Sequence, residues 1–158
     1  MRKHILVLGL SGALGVAVPS AVIVTSVSST GCTAAQWQNF QNNAATFVQY
    51  VQTFLQTVMT VWTTVSPLLG QNLAADQKLF NDAYVGCTSA IGIFLDGVKA
   101  AAAAQTLDLQ ALMGPVQDAC AKLLAVLAQI QSNGTGVGLD PNSVVQQQAN
   151  KIWAWKVN

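Results

Sequence analysis

Side chains that could carry out chemistry are few and widely spaced in this chain. Its acidic residues are all Asp, and no two of the six are closer than six positions apart. They are Asp76, Asp82, Asp96, Asp108, Asp118 and Asp140. Beyond residue 4 there is no His and no Arg. Acid–base catalysis near neutral pH and metal binding both draw on clustered His, Cys or carboxylate groups. This composition therefore predicts a protein that is not an enzyme and holds no metal or cofactor.

Two of the three cysteines are spaced for a disulfide. Cys87 and Cys120 each fall on the apolar stripe of a predicted helix, and the connecting turn is predicted near residues 103–107. In an antiparallel hairpin with that turn the two side chains face each other. An exported protein would oxidise such a pair. We therefore predict a disulfide between them, with two reduced core thiols as the alternative.

The N-terminal residues have the layout of an export signal. Basic or titratable residues at positions 2–4 precede an uncharged, mostly apolar stretch at 5–27, and small residues lead up to Cys32. Basic, apolar and small residues in that order are typical of a secretory signal. Residues 1–31 are therefore interpreted as a signal peptide or a membrane anchor, and we expect the protein to be exported.

The end of this segment resembles the signal of bacterial lipoproteins. Gly31 directly precedes Cys32, as in those signals, in which the Cys is acylated and becomes the new N-terminus. Ser29 stands where lipoprotein signals usually carry an aliphatic residue. The resemblance makes Cys32 the lipidation candidate and implies a location on the periplasmic side of a bacterial membrane or at the cell surface. Cleavage without lipid and an uncleaved anchor are the alternatives, since residues 5–27 are enough to cross a bilayer of about 30 Å.

The spacing of apolar residues predicts an all-α fold, an antiparallel bundle of three long helices plus one short C-terminal helix. In the first helix, apolar residues from Trp37 to Val65 recur at alternating steps of three and four, which is a heptad seam. A second helix is predicted after Asn72, an expected N-cap, and a third after Asp108. The signal or anchor segment precedes this bundle.

Gly, Asn and Pro residues predict where the third helix ends and where the last helix begins. Asn-Gly at 133–134 is a strong helix stop, so residues 32–133 are expected to form the bundle core and residues 134–140 a flexible loop. Asp-Pro at 140–141 is typical of an N-cap followed by the first helical position. Residues 141–158 are therefore predicted to form a short helix and a Trp-containing tail that pack on the bundle.

The first predicted helix has an outer face without charge. Gln, Asn and Thr occupy its positions outside the seam, and amides and hydroxyls lose less free energy on desolvation than ions do. Such a face can be buried against another subunit, a membrane or an assembly, or it can reflect composition alone. Gln49, Gln52 and Gln56 are the partner-face candidates on this helix. In the C-terminal tail, the partner-face candidates are Trp153 and Trp155, which could instead pack on their own bundle.

These patterns favour an exported, lipid-anchored structural or protein-interaction component of a bacterial cell envelope, or of an envelope-associated assembly that a phage could encode. We expect a protein partner or self-association, and membrane attachment through a lipid on Cys32 or through residues 5–27. Nucleic acid is not an expected partner, because residues 32–158 carry five Lys against six Asp and no basic patch. The alternatives are a helical carrier of apolar ligands or lipids and a membrane-active protein with an uncleaved N-terminal span.

Overall fold

Four α-helices make up most of the described chain. The computed structural model describes residues 33–104 and 108–155. The helices are α1 (Ala34–Val65), α2 (Leu73–Ala104), α3 (Leu109–Thr135) and α4 (Val144–Ala154), with two short 3-10 helices, Ser66–Leu68 and Gly70–Asn72, between α1 and α2. These ranges contain no strand. The predicted all-α bundle of three long helices and one short helix is confirmed. Cys32 and residues 1–31 lie outside the described residues.

Aromatic contacts show that α1 and α2 run antiparallel. The ring centroids of Phe47 and Phe94 are 5.2 Å apart, and those of Trp62 and Phe80 are 4.3 Å apart in a parallel stack. Residue numbers therefore rise along α1 as they fall along α2. Large rings lie between the two helices, and few backbone positions of α1 approach α2 closely.

Helices α2 and α3 form the most closely packed pair. The Cα atoms of Cys87 and Cys120 are 5.1 Å apart. Further along, a Cβ added to Gly97 would lie 2.6 Å from Cδ2 of Leu112. Residue numbers on α3 fall as those on α2 rise, so this pair is also antiparallel. Small residues at the contact allow the two helices to approach closely.

The short helix α4 lies along both α1 and α3. The side-chain amide of Gln117 on α3 donates a hydrogen bond to the carbonyl of Ile152 at 3.0 Å. Just after the helix, the ring of Trp155 lies 5.4 Å from that of Phe47 on α1. The other end of α4 lies beside residues 56–61 of α1, so α4 runs antiparallel to α1. The bundle therefore has an up-down-up-down topology with a short fourth helix.

The predicted apolar seams form one contiguous core. On α1 the buried residues include Phe40, Phe47, Val51, Phe54 and Val58, with Trp37 and Val61 packed against them. On α3 the apolar residues at helical spacing, which predict its inner stripe, are all buried: Leu109, Met113, Val116, Cys120, Leu123, Leu127 and Ile130. The heptad spacing thus identified the inner faces correctly, because residues three and four apart lie on one side of a helix.

The predicted stop of α3 at residues 133–134 is wrong. The helix continues to Thr135, and Gly136, with a φ of 71°, forms its left-handed C-cap. Glycine adopts that conformation without steric cost, so the cap forms at this glycine. Gly134 stays helical and packs closely, since a Cβ there would lie 3.0 Å from Cδ2 of Leu69. The connection to α4 therefore begins two residues later than predicted.

Helix α2 begins at Leu73, directly after Asn72 as predicted, but the predicted N-cap roles of Asn72 in α2 and of Asp140 in α4 are wrong. Asn72 is the last residue of a 3-10 helix that continues into α2, so the preceding turn replaces the cap. Asp140 forms a turn instead, in which its Oδ1 accepts a hydrogen bond from the backbone N–H of Asn142 at 2.8 Å. Ser143 is the actual N-cap of α4, and its hydroxyl accepts from the N–H of Gln146 at 3.3 Å. Asp and Ser can each stabilise a turn or cap a helix. Here Asp140 forms the turn, and Ser143, which directly precedes α4, caps the helix.

Candidate functional site: the uncharged face of helix α1

The three predicted glutamines lie together on the outer side of α1. Gln49 and Gln56 are exposed and Gln52 is half-buried, and their spacing places them on one side of the helix. They belong to a longer surface, here called the α1 face. It consists of Gln38, Asn42, Ala45, Gln49, Gln52, Gln56, Thr60 and Thr63. The α1 face carries no charge and extends for about 38 Å at 1.5 Å per residue.

Threonine hydroxyls on and beside this face donate hydrogen bonds back into α1. Thr53 donates to the carbonyl of Gln49 at 2.9 Å, and Thr60 donates to that of Gln56 at 3.0 Å. Four more behave in the same way: Thr46, Thr57, Thr63 and Thr64. This local bonding is typical of Thr in helices. Because their hydrogen atoms are already used, these hydroxyls need no donor contact with water when the surface is covered.

The glutamine amides, in contrast, are available. Within residues 33–104 and 108–155, none of the hydrogen bonds engages the side-chain amides of Gln49, Gln52 or Gln56. Each amide offers two N–H donors and one carbonyl acceptor. The α1 face can therefore form new hydrogen bonds with a partner at these positions without breaking bonds within the bundle.

A groove borders the α1 face where α4 begins. It encloses about 510 Å³ and is open to the outside. Its lining comprises Gln56, Thr57, Thr60, Val61, Ser143, Val144 and Val145. The Val144 side chain is 61 % exposed, so an apolar group stands beside the polar face. The sequence did not reveal this groove, because it depends on where α4 docks on α1.

The two candidate tryptophans lie against the bundle and not on the α1 face. The indole N–H of Trp153 donates to the carbonyl of Gln117 at 3.4 Å, and the ring of Trp155 contacts that of Phe47 on the inner side of α1. Both side chains are half-buried. Their role as partner contacts stays a prediction, while their packing within the bundle is visible.

The predicted cysteine pair is formed. The sulfur atoms of Cys87 and Cys120 lie at bonding distance in a disulfide that joins α2 to α3, and both residues are fully buried. The bond joins the two helices of the α2–α3 hairpin within the core. It stabilises the helices on which α1 packs, and it is not part of the α1 face.

One buried carboxylate was missed from the sequence. Asp76 is only 4 % exposed, and its Oδ1 accepts a hydrogen bond from the side-chain amide of Asn133 at 3.4 Å. No described residue bonds to its other oxygen, Oδ2. Its spacing could have predicted this burial, because Asp76 lies one turn before Phe80 on the inner stripe of α2. Its charge pointed instead to an exposed position.

Two further properties of the described residues bear on function. No group of three or more His, Cys, Asp or Glu that could hold a metal ion is present within residues 33–104 and 108–155. The segment Gly70–Ala104 and helix α3 are long and apolar enough to cross a membrane. A core helix of a soluble bundle satisfies the same criterion.

Comparisons with known proteins gave no relative from which a function could be transferred. No protein-family model, no curated protein and no solved structure matches this chain. The candidate surface is therefore defined by the chain's own residues and their contacts.

Proposed function

We propose that this protein is an exported, membrane-anchored helical bundle that acts by protein contact, through the α1 face. It would be a structural or interaction component of a bacterial cell envelope or of an envelope-associated assembly. The partner is another protein or further copies of the same chain. Disulfide formation between Cys87 and Cys120 is consistent with export, because disulfides persist in oxidising compartments.

The observation that carries this proposal is the α1 face itself, which is long, exposed and without charge. Burying an unpaired ion costs several kcal/mol, whereas burying an amide that forms hydrogen bonds in the complex costs far less. Exposed charged side chains lie on other helices, as in the ion pairs of Lys78 with Asp82 and of Lys99 with Asp96 on α2. A partner that covers the α1 face meets no charged side chain of α1 itself.

Anchoring is proposed from the sequence that precedes α1. The apolar stretch at 5–27 and the Gly31-Cys32 pair support either acylation of Cys32 or retention of the apolar segment. Acyl chains contribute about 0.8 kcal/mol per buried methylene, so two or more chains hold a protein firmly on a membrane. Either route brings the bundle to a membrane surface.

Site-specific photocrosslinking in the producing cells tests the proposed contact. A photoreactive residue replaces Gln49 or Gln56 on the α1 face, and the matched control replaces Ser89, which is exposed on α2. We expect a discrete crosslinked product from both α1 positions and none from Ser89. The Gln52→Lys substitution, which adds a charge between the two probes, should abolish the product. Equal crosslinking at all three positions, or none at α1, would contradict the proposal.

A second candidate, a membrane-active protein, is favoured by the apolar length of α2 and α3. Insertion of that hairpin would expose the core side chains of α1 and α4, so it requires the bundle to open. Dye release from lipid vesicles distinguishes the two candidates, because a contact protein should leave the vesicles intact. The carrier alternative would require a ligand between the helices, where the structure has one contiguous core.

A further inference from the structure

Helix α1 begins almost immediately after Cys32. Thr33 is the N-cap, and it forms a capping box with Gln36. The Thr33 N–H donates to the side-chain oxygen of Gln36 at 2.9 Å, and the Gln36 N–H donates to the Thr33 hydroxyl at 3.2 Å. Consecutive Cα atoms are about 3.8 Å apart. A lipid on Cys32 would therefore be attached one residue before the N-cap of α1, and an anchor at 5–27 would be separated from that cap by only the five residues 28–32.

The same end of the bundle contains the end of α2 and the start of α3. Phe47 on α1 is level with Phe94 on α2. Equal steps along the two antiparallel helices bring Trp37 level with Ala104, the last residue of α2. Asp108, the N-cap of α3, follows after residues 105–107. Three of the four helices thus reach the end at which the anchor joins.

Small, uncharged side chains are common among the described residues of this end. Its exposed side chains on α1 and α2 include five alanines: Ala34, Ala35, Ala100, Ala103 and Ala104. The nearest charged residues along the described chain are Lys99 and Asp108; both are exposed, and Asp108 lies at this end, where its carboxylate caps α3. We call the five alanines the alanine end. It can approach lipid headgroups without removing an ion from water, which would be costly.

We propose that the alanine end rests on the membrane surface, with α1 standing away from the bilayer. This inference depends on the proposed membrane attachment and adds an orientation to it. A helix of 32 residues is about 48 Å long, so the opposite end would lie well clear of the headgroups. The α1 face would then point sideways, along the membrane plane, and remain accessible to partners on the same surface.

The opposite end is the competing surface. There Leu68 is 56 % exposed and Val137 is 67 % exposed, so exposed apolar side chains alone would favour that end as the membrane contact. The position of the anchor decides between them, because a lipid on Cys32 is adjacent to Thr33 and the five residues 28–32 span at most about 18 Å, much less than the length of α1.

Headgroup quenching tests the orientation on the full-length, membrane-derived protein. A bimane label is attached to Ala103→Cys at the alanine end or to Gly138→Cys at the opposite end. Both positions are exposed, and the native disulfide is buried. Protein without an added cysteine measures any background labelling of Cys32. The probe is a phosphatidylcholine and phosphatidylglycerol vesicle with nitroxide on its headgroups.

We expect the label at Ala103→Cys to lose about half of its fluorescence or more, since only groups within the headgroup layer are quenched, and the label at Gly138→Cys to lose almost none. Inserting about eight Gly and Ser residues between Cys32 and Thr33, which span roughly 15 Å, should weaken quenching but preserve flotation with vesicles. Equal or reversed quenching in protein that floats with vesicles would overturn the orientation alone. Protein that does not float with vesicles would overturn the proposed attachment as well.

Discussion

Phe47 on α1 and Trp155 after α4 lie with their ring centroids 5.4 Å apart, so the C-terminal tail closes over the seam of the first helix. Phe47 also contacts Phe94 on α2, at 5.2 Å. A single buried ring therefore joins α1, α2 and the tail. This arrangement makes the tail part of the fold, and it leaves the outer side of α1 as the uncharged surface.

Replacing Trp155 should destabilise the bundle. The Trp155→Ala substitution removes a half-buried ring from Phe47, and we expect the free energy of unfolding to fall by about 2 kcal/mol. Urea denaturation followed by circular dichroism measures the change. Lys151→Ala, at an exposed position of α4, is the matched control and should change stability little. Unchanged stability in Trp155→Ala, together with a lost crosslink at Gln49, would assign this tryptophan to the partner instead.

Loss of the disulfide should weaken the α2–α3 hairpin. The bond closes a loop with a sequence separation of 33, for which the chain-entropy estimate is a stabilisation of about 3–4 kcal/mol. We expect the double substitution Cys87→Ala and Cys120→Ala to lower the unfolding free energy by a similar amount. A thiol assay on the denatured native protein checks that the bond forms in the cell. Finding both thiols free there would contradict the pairing.

Two glycines of α2 should respond differently to a methyl group. Gly92 has open space around it, so Gly92→Ala should stabilise the helix by about 0.8–1 kcal/mol. At Gly97 the added Cβ would lie 2.6 Å from Leu112 Cδ2, so the Leu112 side chain must move and the gain should shrink or reverse. The added substitution Leu112→Ala should relieve the clash in a double-mutant cycle. Equal gains at both glycines, measured by urea denaturation, would show that the α2–α3 contact is looser than described.

The side chain of Asn133 should stabilise the buried Asp76 carboxylate. Asn133→Ala would remove the hydrogen bond that Asp76 Oδ1 accepts, and an unsatisfied buried group costs about 1–3 kcal/mol. Thermal or urea unfolding measures the loss. Asn150→Ala removes an exposed amide contact with Gln146 and should have almost no effect. Equal effects of the two substitutions would mean that the amide of Asn133 does not stabilise Asp76.

Periodicity predicted the inner faces of the helices well, because burial follows spacing. Phe47, Val51 and Phe54 are buried where the heptad seam placed them. The pairing of Cys87 with Cys120 followed from the same spacing and a predicted turn near residues 103–107. These features depend on helix geometry, which can be predicted directly from the spacing of residues in the sequence.

Features that depend on competition between neighbours were not predictable in the same way. Gly134 and Gly136 could each end α3, and the helix continues through Gly134, which packs close to Leu69, to a cap at Gly136. Asp140 and Ser143 could each cap α4, and the turn at Asp140 leaves that role to Ser143. The groove beside the α1 face depends on where α4 packs against α1, and local sequence patterns do not predict that position.

Intact-mass measurement of the protein recovered from membranes tests the central claim most directly, because both the proposed contact and the proposed orientation require an anchored bundle. We expect a chain that begins at Cys32 and carries the added mass of acyl chains, or, by the alternative route, a chain that retains residues 1–31. We also expect that either species is found in the membrane fraction. A soluble species with an unmodified Cys32 would contradict the account.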